Sequence, residues 1–584
     1  MNGANWNGNG TDFRVWAPKA ERVTLRQLGK GDREMKRGKD DVFTLSSADA
    51  RPGDRYFYLV NDEPLQLPDP VSRLLPEGVH GPTEIVDASA FPWSDAGWTG
   101  VDYRDYILYE LHVGTFTPEG TFDGVIGKLD YLKELGITAI ELLPLAAFPG
   151  KRNWGYDGVS MYAVQESYGG PEGLKRLVDA AHGKGIAVVI DVVYNHLGAE
   201  GNYLSKFGPY FTCKHHTPWG DAINYDDKGS QCVREYVIEN ALYWIREYHA
   251  DGLRLDAVHT IKDDSQTHII AELRDRVQQF ATHAGRKVAL MAESDENSPK
   301  YVRPRGEGGY GLEGLWSDDF HHALHTHFTG EGEGYYQDFG ALDDLIRAIN
   351  EGFVFQGQDF KFWGKPRGES SQGMRPESHV ICIQNHDQVG NRATGDRLTS
   401  LVTVVVRKLM AALLLLAPQT PLLWMGQESD EPNPFQFFTD YGDPQMKKAV
   451  TEGRRKEFEE FSSFAGEVPD PQDPATFERS KLSWQLTPER EEMLSWYREL
   501  ITLRKALYQN GERSCRVTKN GEKAVVMRVP AETPLMELRA DWSGEGIGSE
   551  KTNWREMLSV DDESCRLSIR VSPELEDKAK RLCA

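Results

Sequence analysis

The sequence predicts an α/β protein, a (β/α)8 TIM barrel with an N-terminal β-sandwich and a C-terminal β domain. Three observations point there. From about Tyr106, short apolar runs alternate with longer amphipathic ones, the grammar of parallel β-α units. On either side of that stretch the runs are short, β-like and broken by Gly, Asp and Pro. A chain of 584 residues also exceeds one ordinary domain, so several are expected.

Residues 1–90 are read as the sandwich. Phe13 to Leu25 and Arg55 to Val60 have the composition and spacing of short strands, which suggests two packed sheets. Asp69-Pro70 and the Gly/Pro-rich piece to Pro82 read as a linker that wraps onto the next domain. Residues 91–485 are read as the barrel. Its expected strands are Ile107 to Val113, Thr138 to Leu143, Ile186 to Val193, the stretch from Gly252, Lys287 to Glu293, a weak Leu312 to Trp316, His379 to Gln384, and Thr420 to Trp424. Helices are expected from Phe122 to Leu135, from Pro171 to Gly185 and near Val233 to His249; the second has Pro at its start and Gly at its end. Eight such units with long loops after several strands favour a closed barrel over an open sheet. Residues 486–584 are read as the C-terminal β domain, with strands in Val517 to Val529 and none assignable beyond Leu538.

Charge and composition narrow the function. The 67 basic against 90 acidic residues leave a formal net charge of −23. That balance argues against nucleic acid and anionic membrane as partners and favours a neutral substrate. The N-terminal MNGANWNGNGTDFRVW has neither the basic nor the apolar segment of a leader. The longest apolar run, Leu409 to Ala417, is too short to span a bilayer. Six cysteines lack CxxC spacing, which indicates neither a zinc site nor a disulfide framework. A cytoplasmic protein without metal or cofactor is expected. The adjacent pairs His215-His216 and His321-His322 are read as loop or substrate-facing residues, since neighbouring side chains point apart.

The chemistry is expected at the C-terminal ends of the strands. In Gly252-Leu-Arg-Leu-Asp-Ala-Val-His259, Arg254 and Asp256 are two apart and project to one side. A guanidinium beside a carboxylate favours its ionised form, which suits a nucleophile. Glu293 emerges from the apolar Val288-Ala-Leu-Met-Ala292, where desolvation would raise its pKa and suit a general acid. Asp387 closes the seventh strand as a third acid, and Asp191 closes the third. Each could alone be a structural ion pair; three acids on different strand tops, without a phosphate-cradling loop or a cluster of metal ligands, point to glycoside hydrolysis. Trp219 and Trp424 could stack on sugar rings or fill the core.

Asp191 to His196, Gly252 to His259, Ala292 to Ser294 and Asn385-His386-Asp387 resemble the four short regions of the α-amylase family of glycoside hydrolases, in the right order and on the right strands. The resemblance covers about four-fifths of the chain. It implies a retaining mechanism in which Asp256 forms a glycosyl-enzyme, Glu293 is acid and then base, and Asp387 is the fixed third acid. It implies substrate binding by His196, Arg254, His386, Tyr156 and His259. His259 is followed by Thr260 where many α-amylases have Lys-His, so the next subsite differs. The long loops Phe148 to Asp157, Trp316 to His322, Pro434 to Asp440 and Ser480 to Trp484 are most similar to those of the maltooligosyltrehalose trehalohydrolases. That implies hydrolysis of the α-1,4 bond between a maltooligosaccharide and a terminal trehalose; the alternatives are transfer to a sugar 6-hydroxyl, as in a branching enzyme, and, behind it, a non-catalytic glucan-binding protein, which the retention of all three acids disfavours.

Overall fold

A computed structural model describes residues 2–61, 63–459, 468–508, 513–543, 554–562 and 565–583. At the N-terminus two four-stranded antiparallel sheets face each other: Gly3–Trp6, Thr11–Trp16, Val42–Ser47 and Lys36–Arg37 in one, and Gly31–Glu34, Val23–Gln27, Arg55–Val60 and Thr83–Glu84 in the other. Alternate apolar residues turn inward, as the pleat requires. Phe13 of one sheet meets Tyr56 of the other edge to face at 5.0 Å. The start of the linker is tied to the elements on either side of it. Buried Asp69 accepts hydrogen bonds from Tyr56 Oη at 2.6 Å and Tyr58 Oη at 3.1 Å, and Tyr236 of a barrel helix donates to Pro70 O at 2.9 Å.

Eight parallel strands then close into a barrel: β1 Leu108–Leu111, β2 Ala139–Leu142, β3 Ala187–Val192, β4 Gly252–Leu255, β5 Ala289–Glu293, β6 Gly314–Trp316, β7 His379–Cys382 and β8 Thr420–Trp424, with β8 pairing back to β1. All eight lie within the predicted runs. Their residues are buried almost throughout, which is why they read as continuous apolar stretches rather than alternating ones. Gly252 opens β4 because a Cβ there would lie 2.7 Å from Ala289 O of β5. The predicted first helix is divided into Phe122–Ile126 and Leu129–Leu135, with Gly136 as its left-handed cap. Between β6 and β7 the chain inserts helices Asp318–Thr329 and Leu342–Glu351 and the hairpin Gln358–Phe360 with Lys365–Arg367.

The apolar run around Leu409 is the helix Val404–Leu416, buried against the barrel, and no helix among the described residues is long and apolar enough to cross a membrane. Past Gln485 the barrel continues in the helix Pro488–Tyr508, which the fading sequence pattern does not show. Arg504 anchors it, donating to the carbonyls of Leu415, Ala417 and Gln419 at 2.9, 2.6 and 2.5 Å. A five-stranded antiparallel sheet follows in the order Arg516–Lys519, Ala524–Val529, Met536–Asp541, Arg566–Val571 and Arg555–Asp561. Two of its strands, Arg555–Asp561 and Arg566–Val571, lie beyond Leu538, where the sequence pattern becomes irregular, and Met536–Asp541 spans that point.

Candidate active site

Arg254 is the hub of the barrel mouth. It is 0% exposed. Its Nη1 donates to Asp191 Oδ2 at 2.8 Å and to Asp256 Oδ1 at 2.9 Å, and its Nη2 lies 3.0 Å from Glu293 Oε2. Three carboxyls from three neighbouring strand ends thus share one guanidinium, whose planar fork can serve several acceptors at once. The Trp316 ring covers the guanidinium at 4.5 Å and excludes water from one face. After Asp256 the chain turns sharply: Ala257 adopts φ 39°, and its N–H donates to Glu293 Oε2 at 2.8 Å.

The loop after β2 brings a tyrosine into the same cluster. Asn153 ties the loop to itself through Gly155 N at 2.7 Å and Asp157 Oδ2 at 2.6 Å, and Trp154 stacks on Phe435 at 5.2 Å. Tyr156 Oη then donates to Asp191 Oδ2 at 2.6 Å and meets His386 Nε2 at 2.8 Å. His386 Nε2 is also 3.4 Å from Asp387 Oδ2, and its Nδ1 is 2.5 Å from Glu110 Oε1. Asp387 keeps a third of its side chain exposed, facing the mouth beside Asn391 Nδ2 at 3.1 Å. His196 donates through Nε2 to Tyr156 O at 3.0 Å and is covered by the indole of Trp219, stacked at 4.2 Å and 6°.

The protonation pattern differs from the sequence expectation. Burial raises the pKa of Asp256 well above the ordinary carboxylate value, and nearby Glu293 adds to it while Arg254 opposes it. Burial also acts upward on Glu293, but Arg254 and the Ala257 N–H outweigh it, so Glu293 falls below its ordinary value. The surroundings in the ligand-free protein thus favour the ionised form of Glu293 more than that of Asp256. The expectation that desolvation alone would keep Glu293 protonated fails because a guanidinium and a backbone N–H both reach its Oε2.

All eight residues singled out by sequence lie at this mouth, although not equally engaged. Asp256, Glu293, Arg254, Tyr156, His386 and Asp387 form one connected network; His196 joins it through Tyr156 O, and His259 sits at its edge on the turn Val258–Thr260, 3.5 Å from Asp295 Oδ1. Of the two tryptophans, Trp424 is fully buried whereas Trp219 is 50% exposed. His321 and His322 lie buried with Nδ1 atoms 3.1 Å apart. His215, Asp226 and Asp264 form a group with the spacing of metal ligands, but Lys214 Nζ stands 2.9 and 3.2 Å from the two carboxylates and supplies their countercharge. Sequence reasoning passed over Glu110 and Glu141, paired in register across β1 and β2, and Asp318 at the head of the helix after β6. Asp318 is pushed up to about 7 by burial and by Glu293 and Asp387. A charged residue in the middle of an apolar strand was the available signal for the two glutamates.

Comparison with known proteins agrees with this geometry. Residues 85–219 match "Alpha amylase, catalytic domain" and residues 2–71 match "Carbohydrate-binding module 48 (Isoamylase N-terminal domain)". A malto-oligosyltrehalose trehalohydrolase of Saccharolobus solfataricus is 48% identical over 497 residues, 85% of each chain. One of Rhizobium sp. is 48% identical over 505 residues, 85% of this chain and 84% of that one. The crystal structure of an α-amylase-type protein from Salmonella typhimurium superposes with a TM-score of 0.89 at 39% identity, covering 98% of this chain and 99% of that one. With this similarity along most of both sequences, the chain belongs to the malto-oligosyltrehalose trehalohydrolases of the α-amylase family.

Proposed function

We propose that Asp256, Glu293 and Asp387 are the catalytic residues of a retaining glycoside hydrolase that cuts the α-1,4 bond between a maltooligosaccharide and a terminal trehalose, releasing trehalose. The observation that supports this best is the single buried guanidinium shared by Asp256 and Glu293 at adjacent strand ends, which makes the two acids one titrating pair. Hydrolysis needs a proton on Glu293 and none on Asp256, the reverse of the directions in which their pKa values are shifted in the ligand-free protein, so sugar binding must reverse that balance. Asp256 then attacks the anomeric carbon, and Glu293 protonates the departing oxygen of the trehalose unit. In the second step Glu293 takes a proton from water, which displaces Asp256 and leaves a reducing maltooligosaccharide. Asp387 and His386 would hold hydroxyls of the sugar being cleaved, Tyr156 and His196 would bound its pocket, Arg254 would aim Asp256, and His259 would border the trehalose side.

We further propose a division near residue 90, supported by the two N-terminal sheets ahead of a single barrel, and a second one after Tyr508 rather than near 485, because Pro488–Tyr508 serves as an outer helix of that barrel and the C-terminal sheet begins at Arg516. The net charge of −23 suits an uncharged substrate, and the free thiols of Cys213, Cys232, Cys382, Cys515 and Cys565 suit the reducing cytoplasm. The test is to incubate the purified protein separately with maltooligosyltrehalose and with amylose. Free trehalose from the first supports the proposal. New α-1,6 branches in the second, without trehalose from the first, would make it a branching enzyme.

A further inference from the structure

Glu110 stands on β1 with 1% exposure, and the mechanism above gives it no part. Its Oε1 lies 2.5 Å from His386 Nδ1, and its Oε2 accepts the His386 backbone N–H at 3.1 Å. On the far side of the ring, Nε2 is 2.8 Å from Tyr156 Oη. The tyrosine hydroxyl has one proton, already given to Asp191 Oδ2 at 2.6 Å, so toward His386 its oxygen can only accept. Nε2 is then the donor of that contact, and with Glu110 as a carboxylate, the form that accepts on both oxygens, Nδ1 is the donor of the other. Resting on the glycosidase reading of this site, we propose that Glu110 is a positioning residue that holds His386 as a doubly protonated imidazolium, keeping Nε2–H a permanent donor to Tyr156 Oη behind the sugar-binding face.

The charged and titratable groups around the ring support this. Besides Glu110 they are Glu141 on β2, Asp191 on β3, Arg254 on β4, Glu293 on β5, Asp387 on the ring's own turn, Tyr156, and His112 after β1. Burial drives Glu141 well upward and His112 down to about 4, so both are pushed toward their neutral forms. Burial also opposes charge on His386, but Asp387 and Glu110 outweigh it and lift its pKa to about 10, with Arg254 pulling the other way.

Nitrogen-15 NMR of histidine-labelled protein tests this, with His386→Gln identifying the His386 signals. The wild type should show both ring nitrogens protonated from about pH 6 to 9. In Glu110→Gln, His386 should lose a proton within that window. The alkaline limb of kcat/KM on maltooligosyltrehalose should also move down by at least about one pH unit, and Glu110→Asp should restore part of the shift. A neutral His386 in the wild type at about pH 8 overturns the proposal, even if Glu110→Gln fails to fold. So does a folded Glu110→Gln protein with wild-type signals and pH profile. A wild-type protein that releases no trehalose would defeat the functional reading instead, and the NMR signals would still decide whether Glu110 holds the imidazolium.

Discussion

Replacing Arg254 by lysine perturbs the site at the point where its contacts converge. The guanidinium lies within 3.0 Å of Asp191, Asp256 and Glu293. One ammonium on a flexible stem cannot reproduce that three-way fork. Keeping one contact and losing two charge-assisted ones, each worth roughly 1.5–3 kcal/mol, gives a penalty of about 3–6 kcal/mol, or a loss on the order of 10²–10⁴ in kcat/KM. Arg254→Ala goes further, because it leaves buried carboxyls without any countercharge, at a cost to stability of roughly 3–5 kcal/mol. Trehalose release and thermal unfolding should be measured on the same preparations. An Arg254→Lys enzyme within about fivefold of wild-type kcat/KM would refute the hub role of the guanidinium.

Three further predictions address other parts of the molecule. Trp219→Ala should raise KM for maltooligosyltrehalose by about 2- to 10-fold with little change in kcat, as loss of a half-exposed stacking surface implies; an unchanged KM would remove Trp219 from the substrate path. Asp69→Ala strips two buried tyrosine hydroxyls of their acceptor and should lower stability by about 2–5 kcal/mol, read by denaturant unfolding, while kcat stays at the wild-type value. The third concerns pH. His386 titrates at about 10 in the folded protein against roughly 6.5 in an unfolded chain. Its stabilising contribution is therefore complete below about pH 6.5 and lost as pH rises toward 10. Over that interval the wild-type Tm should fall more steeply than that of His386→Gln, and parallel slopes would count against the charged imidazole.

Much of the site was legible because strand periodicity is regular. Arg254 and Asp256 sit two apart at the end of an apolar run, Glu293 closes another, and Asp387 lies in the short helix His386–Gly390 just past the seventh strand, so strand ends alone predict their convergence. Proton placement was not legible, because it depends on the left-handed turn at Ala257, which aims a backbone N–H at Glu293 Oε2; no side-chain pattern encodes that direction. Glu110 was hidden for a different reason: in a parallel barrel every strand residue is buried, and a single acid in the run says nothing about which partner neutralises it. The helix Pro488–Tyr508 escaped notice because it is rich in charged residues even though its barrel-facing side is buried. The C-terminal strands pair across long sequence separations that local patterns do not report.

Hydrolysis of maltotriosyltrehalose followed by proton NMR before mutarotation sets in tests the catalytic assignment most directly. With Asp256 as nucleophile and Glu293 as acid and base, the reducing sugar should appear first as its α-anomer, one molecule for each trehalose released, and Asp256→Ala should abolish both signals while the protein still unfolds cooperatively. A β-anomer formed first, or full trehalose release by Asp256→Ala, would contradict it.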